Sequence, residues 1–146
     1  MFNTVVNWFI RQRIDQINNF IDHPIETQKG VLFSQLFHAE DTVYGKNYGF
    51  KDISNYRDFQ NNVPIVTYED YEPYIEKARQ GMKDIIWPGQ IKHFAKSSGT
   101  TNAKSKFIPI SDESLEDCHY KAGKDLISIY VNNHPESGLF QHKNLR

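Results

Sequence analysis

Between residues 4 and 21, Val5, Trp8 or Phe9, Ile10, Ile14, Ile17 and Ile21 recur at three- and four-residue steps with polar residues between them. That period predicts an amphipathic helix. Asp22-His23-Pro24 suits a new helix start, with Asp22 or His23 as cap and the proline in the first turn. Leu32, Phe33, Leu36 and Phe37 then form the expected buried stripe of a second helix ending near His38-Ala39. A short break between two such helices predicts an antiparallel pair. From Asp41 to Phe50, Gly45, Asn47 and Gly49 alternate with Tyr44, Tyr48 and Phe50, the texture of a loop pinned by rings.

Ser54 is placed to cap a short helix carrying Tyr56 and Phe59, and Val63 to Val66 reads as extended. Thr67 with Asp70 three residues on forms a capping box. Acidic residues fill the next turn, and Lys77 and Arg79 precede Gly81. Pro73 predicts that the continuous helix begins there and that the turn before it is separate. Trp87-Pro88-Gly89 is a turn between this helix and two short strand candidates, Ile91 to Ala95 and Phe107 to Ile110. Pro109 restricts the second strand to an edge or a strand end. Ser111 opens a last helix with Leu115, Cys118, Ala122, Leu126 and Ile129 at helical spacing, stopped by Asn132-Asn133-His134-Pro135. Gly138 to Arg146 reads as the start of a further element. The pattern is helix-rich at first and then strand–loop–strand–helix, an α/β design without internal repeat.

At 146 residues the chain suits one domain with a core, and ten Phe, eight Tyr and two Trp supply large rings to fill it. Seventeen basic against 18 acidic residues give a net charge of −1, which argues against nucleic acid or an anionic membrane surface as partner. One cysteine, Cys118, cannot close an internal disulfide. The apolar amino terminus is interrupted by Asn3 and Asn7 and followed by Arg11 and Arg13, so no secretory signal or membrane span is read there. These features predict a cytoplasmic protein.

The most informative chemistry lies between the two strand candidates. Ser97, Ser98, Gly99, Thr100 and Thr101 are small or hydroxylated, and Lys104 and Lys106 follow. Small residues let a backbone aim several N–H groups at one point, hydroxyls add donors, and lysine adds charge, which together suit phosphate oxygens. A polar turn is the plainer reading of such a run. The placement between two apolar strands and the paired lysines favour phosphate. A Walker loop is excluded, because Ala103 rather than glycine precedes Lys104-Ser105 and only three residues separate it from Gly99.

The stretch resembles the first nucleotide-binding motif of adenylate-forming enzymes. It is most similar to that of the acyl-acid amido synthetases named for auxin-responsive Gretchen Hagen genes, whose loop reads Ser-Ser-Gly-Thr-Thr-x-Gly-x-x-Lys, then an aromatic and Ile-Pro. Here Ser97 to Lys106 and Phe107-Ile108-Pro109 match, and Ala103 alone departs. If that position needs positive φ, alanine costs about 1 kcal/mol. Thr42-Val43-Tyr44-Gly45, Val63-Pro64, Tyr68 to Tyr71, Gly81 and Trp87-Pro88-Gly89 follow the family's order, so the resemblance runs from about residue 25 onward.

The resemblance implies ATP-dependent activation of a carboxylic acid as an acyl-adenylate, then transfer to an amine, usually an amino acid, with ATP and Mg²⁺ required. It implies that Ser97, Ser98, Gly99, Thr100 and Thr101 cradle the β- and γ-phosphates with Lys106 as cation and Lys104 a weaker candidate. It also implies that residues 1–146 are the amino-terminal portion of a single adenylation domain, helix-rich and cut short at Arg146, inactive alone and with weak ATP contact at best. A non-catalytic remnant or interaction module, with the loop as a structural turn, is the alternative.

Other residues carry blander expectations. His23, His38, His93, His119, His134 and His142 show no zinc spacing with cysteines. Cys118 beside His119 is expected to be a buried thiol next to a partly exposed imidazole, not a catalytic couple. Glu69, Asp70 and Glu72 suit a helix start. Tyr68, Tyr71 and Tyr74 suit packing of one helical face.

Overall fold

The structure, a computed structural model, describes residues 2–98 and 105–137, with side chains from residue 8 onward. The chain divides into two compact units, a first that joins the first 27 residues to those from Glu116 on and a second of residues 28–115. Among the described residues the design is helix-rich with a two-stranded antiparallel sheet, as the α/β reading anticipates. No helix among them is long and apolar enough to cross a membrane. The expected element at Gly138 to Arg146 lies outside the described residues.

In the first unit, helix α1 (Phe2–Asp22) packs against helix α7 (Lys121–Asn133). The expected turn between α1 and α2 (Pro24–Ala39) is not made at their junction. Helical bonding runs on through the junction, with the N–H of His23 reaching the Asn19 carbonyl at 2.9 Å and that of Thr27 the His23 carbonyl at 3.0 Å. No chain reversal is made there. Ile10, Ile14 and Ile17 turn inward as expected, whereas Trp8, Phe9 and Ile21 are exposed. Between α1 and α7, the Arg13 guanidinium grips both oxygens of Asp125, Nη2 to Oδ2 at 2.7 Å. That hydrogen-bonded guanidinium holds the Asp125 carboxyl below its ordinary value.

Ser111 caps a short helix, α6 (Asp112–Ser114), as its hydroxyl accepts the Ser114 N–H at 3.0 Å. The chain then widens into a π turn over Leu115–Tyr120 before α7 begins. Each extra residue in a turn rotates everything downstream by about 100°. The stripe expected from regular spacing is therefore displaced. Leu126 and Ile129 lie outside, Cys118 is exposed rather than buried, and Lys121, Asp125 and Ser128 face inward instead.

The second unit centres on Leu36, Ala39, Ile53, Ile75, Ala78, Ile85 and Ile91. Of the α2 stripe, Leu36 is buried, Leu32 and Phe33 are half-buried and Phe37 is exposed. The expected loop at 41–50 is a short helix, α3 (Val43–Asn47), with a 3₁₀ turn at Phe50–Asp52. Its first N–H groups are all answered: Val43 and Tyr44 donate to the carbonyls of Asp84 and Ile85, and Gly45 to the hydroxyl of Thr42. Thr42 in turn donates that hydroxyl to the Ala39 carbonyl at 2.7 Å and is 1% exposed. A helix end with satisfied donors persists even at five residues. Helix α4 (Tyr56–Asn62) is capped by Asn55 rather than Ser54, whose hydroxyl donates instead to Asp58.

Helix α5 (Tyr68–Arg79) runs through Pro73 without a break, against the sequence expectation. The N–H that proline lacks falls opposite the Glu69 carbonyl, in the exposed first turn where water can serve. Both ends are also firmly closed. Thr67 and Asp70 complete the capping box. At the other end, Gly81 (φ +86°) donates to Ala78 and Met82 to Lys77, a Schellman closure. The Trp87-Pro88-Gly89 turn forms as expected, with Gly89 at φ +75° and its N–H on the Asp84 carboxylate at 2.7 Å.

A Cβ at Gly45 would lie 2.0 Å from the Ala39 carbonyl oxygen. Gly45→Ala is therefore expected to destabilise the second unit by about 3 kcal/mol, read as a lowered midpoint in chemical denaturation. An unchanged midpoint would contradict this close approach.

Candidate functional site

Strands β1 (His93–Lys96) and β2 (Phe107–Ile110) pair antiparallel, with Lys96 opposite Phe107 and Phe94 opposite Pro109. Apolar β-formers at Phe94, Phe107, Ile108 and Ile110 favour extended backbone. Pro109 is tolerated because, among the described residues, the sheet has two strands and each has an open edge. Pairing continues one residue beyond the strands. The Ser97 N–H donates to the Lys106 carbonyl at 2.9 Å, and the Lys106 N–H donates to the Ser97 hydroxyl oxygen at 3.0 Å. Ser97 and Lys106 thus close the base of the loop.

Of the site residues expected from sequence, Ser97 and Lys106 meet at this base, and Ser98 follows, exposed. Gly99, Thr100, Thr101 and Lys104 lie outside the described residues, as does Ala103. The Ser97 amide is spent on the hairpin. Its hydroxyl accepts from Lys106 and keeps its own proton to donate.

Helix α5 carries the hairpin. The Tyr68 hydroxyl receives the Phe107 N–H at 3.0 Å and donates to the Phe107 carbonyl at 3.4 Å. The Arg79 guanidinium stacks 3.7 Å from the Phe107 ring centre. The Lys106 ammonium bonds Glu69 Oε1 at 3.0 Å and lies 4.7 Å from the centre of the Tyr68 ring. The Glu69 carboxyl sits below its ordinary value, first through its own backbone N–H and next through the Lys106 hydrogen bond.

Sequence reasoning missed Tyr68 and Glu69 as parts of this site. Glu69 was expected only to favour the helix start, and Tyr68 only to pack with Tyr71 and Tyr74. Tyr71 and Tyr74 do pack together, with Tyr44 about 5.1 Å from each ring, but Tyr68 turns to the hairpin. Nothing local marks either residue, since their partners are 39 and 37 positions away.

A serine hydroxyl with a proton to give, an exposed Ser98 and an ammonium at the loop base suit an anionic oxygen ligand. Among the described residues no three His, Cys, Asp or Glu side chains gather as a metal site. A separate cavity of about 330 Å³ lies beyond the other end of the sheet, lined by Trp87, Gly89, Ile91 and Ser111 to Glu113. There the Trp87 indole N–H donates to Glu113 at 2.9 Å.

This hairpin and loop lie within a wider match. The GH3 family N-terminal domain matches residues 13–146. The chain belongs to the GH3 family. It is 41% identical over 104 residues to a jasmonoyl–L-amino acid synthetase of Nicotiana attenuata, covering 70% of this chain and 18% of that protein. It is 33% identical over 90 residues to an indole-3-acetic acid-amido synthetase of Arabidopsis thaliana, covering 61% of this chain and 15% of that protein. A second jasmonoyl–L-amino acid synthetase of Nicotiana attenuata is 38% identical over 90 residues, 61% of this chain and 16% of its own length. The chain therefore spans less than a fifth of these relatives, which are amide-forming ligases by name. The kinship expected from Ser97 to Pro109 and the upstream segments holds.

Within the GH3 chain, burial pushes the Tyr71 phenol up to about 12, with Tyr44 and Tyr74 adding to the effect. A folded value above the unfolded one near 10 gives stability that is full below pH 10 and lost as pH rises toward 12. The unfolding free energy from urea titration should therefore fall between about pH 9 and 11 by about 1 kcal/mol more in the native chain than in Tyr71→Phe, after solvent screening. Parallel curves would contradict a buried phenol.

Proposed function

We propose that the chain is the phosphate-gripping part of an ATP-dependent acid–amine ligase, the amino-terminal portion of an adenylate-forming large domain. In this reading a carboxylate oxygen attacks the α-phosphorus of ATP, the bond to the pyrophosphate oxygen breaks, and an acyl-adenylate results. An amine, that of an amino acid, then attacks the acyl carbon, and AMP leaves. The observation that supports it best is the Ser97–Lys106 closure. It sets the backbone of a lysine at the base of a hydroxyl-rich sequence in a chain of the GH3 family.

Charge builds on the phosphate oxygens as the bond to pyrophosphate breaks. Donors held in place beforehand offset it without reorganising at that moment. Lys106 would supply the cation, and Ser97, Ser98, Gly99, Thr100 and Thr101 the hydroxyls and amides, less the Ser97 amide already used in the hairpin. Mg²⁺, when bound, would neutralise phosphate charge further.

A second reading has the commitment of the Ser97 amide in its favour: the run is a hairpin turn without nucleotide. Acid-dependent ATP–pyrophosphate exchange, measured on the protein carrying this chain across a panel of carboxylic acids, separates the two. The ligase reading expects exchange with at least one acid, reduced about 100-fold by Lys106→Ala. Exchange with no acid, or exchange indifferent to Lys106→Ala, would support the turn.

A further inference from the structure

We propose that Glu69 is a placeholder for phosphate: its carboxylate holds the Lys106 ammonium while the loop is empty, and an incoming triphosphate displaces it. The inference rests on the reading of the loop given above and adds how that loop is kept ready. Both partners sit where such an exchange is feasible. Lys106 lies at the closed base of the hairpin, and Glu69 is the second residue of α5, a helix capped at both ends. The Nζ to Oε1 distance is 3.0 Å, with the two side chains 43% and 68% exposed.

An ion pair so open to water holds its partners weakly, because solvent screens the attraction and two long side chains lose freedom in making it. One carboxylate cannot match a triphosphate, which brings several charged oxygens to the same ammonium. Displacement is therefore downhill. The pair still restricts a lysine whose stem is otherwise free to sample many rotamers. The Tyr68 ring, 4.7 Å below the ammonium, stays in place when the carboxylate leaves. It is anchored through its hydroxyl to Phe107, the residue after Lys106. The lysine thus keeps one face supported while it changes partners.

ATP titrated into the whole protein carrying this chain, native or as Glu69→Gln, Lys106→Met or the double variant, followed by phosphorus NMR, tests the exchange. Glu69→Gln should bind ATP about two- to fivefold tighter, the range an exposed ion pair commands. The gain should vanish in the Lys106→Met background, which itself binds more weakly than the native chain. Glu26→Gln, which removes a carboxylate from α2 rather than α5, should leave affinity unchanged. Equal thermal midpoints would show that all variants fold. If Lys106→Met weakens binding but Glu69→Gln leaves it unchanged or weaker, the placeholder is overturned and the loop reading stands. If the whole protein carrying this chain binds ATP neither in its native form nor as Glu69→Gln, the loop reading falls and the placeholder with it.

Discussion

One hydroxyl decides where the base of the loop is held. Tyr68 meets both main-chain polar groups of Phe107, on the edge of a sheet that has two strands among the described residues. Two strands of four residues are marginal alone. Docking on α5 gives the hairpin a fixed frame, and the residue before Phe107 is the lysine of the candidate phosphate site. The Arg79 guanidinium against the Phe107 ring and the Glu69 carboxylate on Lys106 act on the same two residues from the same helix. Without the tyrosine clamp, those weaker interactions would have nothing rigid to add to.

The helix that carries the clamp is itself held from behind. Tyr44 of α3 packs among Tyr48, Phe50, Tyr71 and Tyr74, and Asn47 donates to the Tyr74 hydroxyl at 2.9 Å. That short helix exists because Thr42 answers the Ala39 carbonyl and the Gly45 N–H together, and because Gly45 clears Ala39. The Thr-Val-Tyr-Gly segment therefore has a structural task in each of three positions: cap, ring and clearance. Force passes from the end of α2 through α3 to α5 and so to the hairpin.

Features that depend on near neighbours were legible in the sequence. The Thr67–Asp70 box, the proline start of α2, the Gly89 turn and the strand–loop–strand order are each written within a few residues. Features set by distant partners were not. Glu69 is one acidic residue of a helix start until Lys106 arrives beside it. Pro73 reads as a breaker unless both ends of α5 are known to be closed. The π turn at Leu115–Tyr120 leaves regular spacing intact in the sequence while rotating Leu126 and Cys118 outward. Family resemblance supplied what periodicity could not, because the loop is distinguished by residue types in order rather than by pattern.

Amide hydrogen exchange in Tyr68→Phe tests the clamp most directly, since the ring is kept and only the hydroxyl is lost. Losing a hydrogen bond worth about 1 kcal/mol should speed exchange of the Phe107 and Ser97 amides about fivefold, with α5 itself unaffected. Exchange at both amides unchanged from the native chain would mean that the hairpin holds its place without α5, and the account built on that anchorage would be wrong.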